Sequence, residues 1–303
     1  MHIRTEKRPR ARVVLALVAA FSLGSLALIA IRAAHAEIQA DFRPTRALAR
    51  VPASGPLAKA ELVEFRSESG DTLRGWWVPG SNDSAIVFVH GTGADRTALA
   101  PQAELLAKRG YAVLLFDMPG HGQSTGQVTW SQTEPNALCA ALDYAQARGA
   151  RHLGVVGFSA GAMIAVHQAA REPRIEGLVL EGALENLDGA VRSDFRHWGP
   201  FSEWPAVWAT RWAGYRPKQL APIGRVPGKM LFIAGSLDED VPLPLTRDLF
   251  ESIQGDKELW VVEGATHGAY QHVAGAEFEA RLVAFFARAF AERSVSHAPD
   301  SQG

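Results

Sequence analysis

The middle of the chain is a succession of short apolar runs separated by stretches with helical periodicity. ELVEFRSE (61–68) and TLRGWWVP (72–79) are two neighbouring runs joined by a polar turn, the signature of an antiparallel pair. Six further runs follow: AIVFVH, AVLLFD, LGVVGF, GLVLEG, MLFIAG and ELWVVE. Helical patterns fall between them, at 96–109, 134–148, 160–171, 243–253 and 275–291. Strands that are apolar on both faces and alternate with helices imply a mostly parallel sheet covered on both sides. The fold class is therefore α/β: a doubly wound, mostly parallel sheet of about eight strands.

One interval breaks the alternation. Positions 184–222 lie between the sixth and seventh strands and hold DFRHWGPFSEWPAVWATRWAGY, which reads as a small helical cap insertion. If Pro205 begins a helix and Gly214 ends it, Trp204, Trp208 and Trp212 share one stripe. That stripe either packs the cap onto the sheet or lines an apolar pocket, and the two roles are compatible.

The ends differ in character. Val13–Ile31 is free of charge and follows Arg4, Lys7, Arg8, Arg10 and Arg12, so 1–36 reads as a signal anchor or signal peptide. The run suits an uncleaved transmembrane helix, whereas the AHA at 34–36 suits cleavage after Ala36. Both readings place the catalytic domain outside the cytoplasm, tethered to or released from the membrane. Residues 37–60, rich in Ala, Arg and Pro, read as a linker, 61–292 as the folded domain and 293–303 as a disordered tail.

Composition narrows the function classes. With 303 residues, 47% of them hydrophobic, a sizeable core is affordable in one domain. The formal net charge of -1 conceals a basic N-terminus ahead of a mildly acidic remainder, which carries no basic footprint for nucleic acid. Cys139 is the sole cysteine, so an intrachain disulfide is impossible, and the residue reads as a small buried side chain rather than a reactive thiol.

The chemistry centres on VVGFSAGAM (155–163), where Ser159 stands between Gly157 and Gly161 as a strand gives way to an Ala-rich helix. A serine hydroxyl needs an exposed position and a base to become a nucleophile. A tight strand-to-helix turn provides the exposure, and it crowds the positions two before and two after the serine, where only glycine fits. The helix that starts at Ala160 directs its free N–H groups at the same point, making Ala160 N–H an oxyanion donor.

These residues resemble the α/β-hydrolase fold family, in its serine-nucleophile branch of esterases, lipases and serine aminopeptidases, over about 61–292. VHGTGADR (89–96) is similar to the family's HG loop, which implies a second oxyanion N–H at Thr92, with Gly93 the neighbouring candidate. FDMPGHGQS (116–124) is similar to the loop that shapes the rim of the site. The resemblance places the acid after a late strand and the base after the last one. It thus implies Asp238 in IAGSLDEDVP, with Glu239 and Asp240 as competitors, and His267 in VEGATHGAY.

The implied activity is hydrolysis of a small carboxylic ester or thioester through a Ser159–His267–Asp238 triad and an acyl-enzyme, with no cofactor or metal. Amide cleavage and acyl transfer use the same triad, and a non-catalytic binding module is the reading from another class. His90 and His121 sit in HG turns without metal-ligand spacing. GTGADR and GHGQSTG fall short of a dinucleotide fingerprint.

Overall fold

A computed structural model describes residues 9–41, 46, 48–129, 132–186, 188, 189, 191, 192, 203–212 and 223–296. Its centre is an eight-stranded sheet made of β1 (Glu61–Arg66), β2 (Thr72–Val78), β3 (Ser84–Val89), β4 (Ala112–Phe116), β5 (His152–Phe158), β6 (Ile175–Glu181), β7 (Lys229–Gly235) and β8 (Lys257–Val262). The strand order is β1-β2-β4-β3-β5-β6-β7-β8. β2 runs antiparallel to both β1 and β4, and every pairing from β4 onward is parallel. The doubly wound α/β class expected from the sequence is the class observed.

Helices cover both faces. α2 (Ala100–Lys108) lies on one side, and α3 (Glu134–Ala147) and α4 (Ala160–Ala169) on the other. β3 shows why the strands read as unbroken apolar runs: Ala85, Val87 and Val89 join the cluster under α3 and α4, while Ile86 and Phe88 join the one under α2. Each strand feeds two cores, so alternation with polar residues has no place in it.

The chain continues through α5 (Glu203–Trp212) in the cap interval, α6 (Leu243–Ser252), α7 (Tyr270–Ala274) and α8 (Ala276–Ser296). α8 extends past the start of the expected tail, whose last residues, 297–303, lie outside the described residues. Most of the cap interval, Gly214 included, also lies outside them. Within α5 the tryptophan stripe faces outward: Trp204, Trp208 and Trp212 are 62%, 72% and 68% exposed, while Ala206, Val207, Ala209 and Thr210 are buried. Small side chains line the buried side of this helix, so the bulky stripe is left largely in solvent and neither inward role expected for it is seen. Arg192 instead lays its guanidinium over Trp204, 4.9 Å from the ring centroid.

The N-terminus also departs from expectation. α1 (Pro9–Asp41) is one continuous helix that passes Ala36 and enters the supposed linker, and Pro56–Lys59 adds a 3₁₀ turn that buries Leu57. α1 packs on α5, with His35 and Trp212 at 5.3 Å between ring centroids. Among the described residues no helix is long and apolar enough to cross a membrane, so the expected membrane contact of this segment is not supported.

Candidate active site

The turn at the end of β5 is strained in the way its glycines imply. Ser159 has φ 54°, a positive value shared with no other non-glycine among the described residues. A Cβ on Gly157 would lie 2.7 Å from the Gly161 carbonyl oxygen, and one on Gly161 would lie 2.1 Å from that of Val89. Backbone, rather than a movable side chain, fills those positions. The serine is pinned further by its own N–H, which donates to the Glu181 carbonyl oxygen at 2.8 Å, and by its carbonyl, which accepts from Ala162 and Met163.

Asp238 and His267 come from the loops after β7 and β8, neighbours in the sheet. His267 Nδ1 lies 2.8 Å from Asp238 Oδ2, and the Asp238 side chain is fully buried. Asp238 Oδ1 accepts from the Val241 N–H at 2.8 Å, so the carboxylate is held at both oxygens. Glu239 and Asp240 are exposed, whereas Asp238 is the buried carboxylate that meets His267. The His267 ring packs on Phe158, 4.7 Å between centroids, and on Gly182, which follows the residue whose carbonyl holds the Ser159 N–H, so it lies at the same end of the sheet as Ser159. The Ser159 hydroxyl and His267 do not share a hydrogen bond here.

Ala160 follows the serine and Thr92 follows Gly91, where a Cβ would lie 3.1 Å from Ser159 Cβ, and the backbone N–H groups of both donate to no acceptor among the described residues. Gly93 differs, because its N–H donates to His121 Nε2 at 3.3 Å. His121 Nδ1 in turn faces the Pro119 carbonyl, and the ring is buried enough for desolvation to lower its pKa. His90 works in the same way: Nδ1 donates to the Gly91 carbonyl at 2.7 Å, Nε2 accepts from the Met118 N–H, and burial, aided by His121, lowers the pKa to about 4. Both imidazoles are neutral and have both nitrogens committed to backbone, which leaves none to ligate a metal. They tie the HG loop to the rim loop. Arg96 and Asp117 form a second tie, a buried ion pair in which Arg96 donates through its backbone N–H, Nε and Nη2.

Two residues at the site escaped sequence reasoning. Tyr270, fully buried in α7, donates its hydroxyl to Asp238 Oδ2 at 2.7 Å. Glu181, at the end of β6, is 1% exposed; Gln102 Nε2 reaches its Oε2 at 3.4 Å, and its Oε1 has no partner. Burial, offset in small part by Gln102, raises its pKa to about 8, so the carboxyl is neutral at neutral pH. An acid closing the apolar run GLVLEG was the available signal for Glu181. Nothing in the spacing marked Tyr270.

Comparison with known proteins follows the geometry. The family described as alpha/beta hydrolase fold matches residues 84–234, from β3 to the end of β7. An uncharacterised protein of Mycobacterium tuberculosis is 28% identical over 279 residues, covering 86% of this chain and 89% of its own. An uncharacterised protein of Bacillus subtilis is 25% identical over 221 residues, covering 66% and 70%. Among solved structures, an esterase of Pyrococcus furiosus superposes with a TM-score of 0.69 at 25% identity, covering 82% of this chain and 97% of the esterase. The sheet order, the strained serine turn and these likenesses agree: the chain belongs to the α/β-hydrolase fold superfamily.

Proposed function

We propose that the protein is a serine hydrolase that cleaves small carboxylic esters or thioesters through an acyl-enzyme on Ser159. The observation that carries this reading is the buried Asp238–His267 pair, held at 2.8 Å at the same end of the sheet as a serine in strained backbone geometry. The solved relative named as an esterase adds support.

In the proposed cycle His267 Nε2 takes the Ser159 proton as Oγ attacks the acyl carbonyl, and Asp238 holds Nδ1–H and stabilises the imidazolium. The resulting oxyanion accepts from the Ala160 and Thr92 N–H groups, which carry no competing acceptor. His267 then passes its proton to the departing alkoxide or thiolate. A water then attacks the acyl carbonyl as His267 takes its proton, and when the tetrahedral intermediate collapses the Ser159 Oγ–acyl bond breaks, the acid leaves and His267 returns the proton to Ser159 Oγ. Formation of the Ser159–His267 hydrogen bond accompanies substrate binding, a common tightening in sites that are open at rest.

The test is hydrolysis of p-nitrophenyl esters of graded acyl length by the protein and by Ser159→Ala. The variant should lose about 10³-fold or more in turnover while remaining folded. Equal turnover by a folded Ser159→Ala would refute the proposal. We also propose export of the catalytic domain, on the basic cluster that precedes the apolar Val13–Ile31 run. Fractionation of cells that express the full chain, with N-terminal sequencing, tests this: activity confined to the cytosol would refute it, and an N-terminus at Glu37 would show cleavage.

A further inference from the structure

Asp238 receives more than the reaction requires. Val241 N–H occupies Oδ1, and both His267 Nδ1 and the Tyr270 hydroxyl occupy Oδ2. Tyr270 follows His267 by three residues, so one short turn delivers both partners to the same oxygen. Room for the phenol is built into the backbone: Gly182 has φ +58°, and a Cβ there would stand 2.7 Å from the Tyr270 hydroxyl and 2.9 Å from His267 Cε1. The charged or titratable groups that bear on the phenol are Asp238, from the loop after β7, and Glu181, from the end of β6. Burial first, and then the Asp238 carboxylate, hold the phenol proton more tightly than usual, so the hydroxyl stays a donor.

On the serine-hydrolase reading above, we infer that Tyr270 is a positioning residue of the catalytic triad, fixing the Asp238 carboxylate in the orientation from which it directs His267. The phenol does so by sharing Oδ2. It locks the carboxylate against rotation and draws off part of its negative charge, which sets how strongly Asp238 favours the imidazolium. A merely structural tyrosine would do the first through packing and would not do the second.

Tyr270→Phe in the full-length protein removes the hydroxyl and keeps the ring. Loss of one hydrogen bond to a charged group should lower kcat about tenfold with KM within about twofold. The acid limb of the kcat/KM profile should move to higher pH, because the unshared carboxylate holds the imidazolium more tightly. A ring-fluorinated tyrosine in place of Tyr270 is a stronger donor of nearly the same shape, and should move that limb to lower pH. It also serves if Tyr270→Phe fails to fold. The low-field proton resonance of His267 Nδ1–H reports the same change in the resting protein, so the inference is decided even if no ester is hydrolysed. Shifts of opposite sign in the two variants support it. An unmoved limb and an unmoved resonance in the fluorinated protein, whatever happens to stability, would overturn it.

Discussion

Replacing Glu181 by Gln isolates the cost of burying a carboxyl at the end of β6. The neutral acid and the amide have nearly the same shape, so the substitution removes ionisation while leaving packing intact. In the folded protein burial lifts the pKa from 4.5 to about 8. Below about pH 4.5 both folded and unfolded chains carry the proton, and the group contributes no pH dependence. As pH rises through the window from about 4.5 to about 8, the unfolded chain releases the proton and the folded chain keeps it, so the wild type steadily loses stability. At about 1.4 kcal/mol per tenfold difference in proton affinity, the loss is on the order of 5 kcal/mol by pH 8. Glu181→Gln escapes it. Urea unfolding of both proteins at about pH 5 and about pH 8 should show the variant gaining on the wild type by several kcal/mol at the higher pH. A difference between the two proteins that stays constant with pH would refute the reasoning, since it would mean that Glu181 ionises as freely inside the fold as outside it.

Two further outcomes follow from burial. Arg96→Met leaves the Asp117 carboxylate buried without its cation, and should cost about 3–5 kcal/mol in denaturant unfolding, with activity falling because the two site loops lose their tie. Trp208→Gln, on the exposed face of α5, should change stability by less than about 0.5 kcal/mol, and a larger loss would show that Trp208 itself has a partner in the folded chain.

The strands and most helices were legible because each core strand packs on both faces and the helices between them are apolar where they meet the sheet. The expected 134–148 and 160–171 correspond to Glu134–Ala147 and Ala160–Ala169. The five-residue α7 is too short for a period to show, yet it carries Tyr270. Periodicity put the three tryptophans on one side of a helix but carries no information on which side meets the protein. That was decided by the small residues opposite. The linker reading over 37–60 rested on the Ala, Arg and Pro content of the whole stretch, and its first residues, 37–41, instead continue a longer helix. At the candidate site, the strained serine turn was readable because backbone crowding dictates glycine at fixed spacing. That Asp238 rather than Glu239 or Asp240 meets His267, and that the Gly93 N–H is already taken by His121, are properties of the folded loops and not of spacing.

Of the eight tryptophans, two described ones are deeply buried and the three on α5 are exposed. Trp76 and Trp77 are sealed in the sheet, whereas Trp204, Trp208 and Trp212 stand in solvent. A collisional quencher such as iodide should therefore reach the α5 indoles far more readily than Trp76 and Trp77. Any ligand or surface that covers α5 would shield the quenchable fraction, so the protein's own fluorescence can report occupancy of the cap while the hydrolytic centre is left unlabelled.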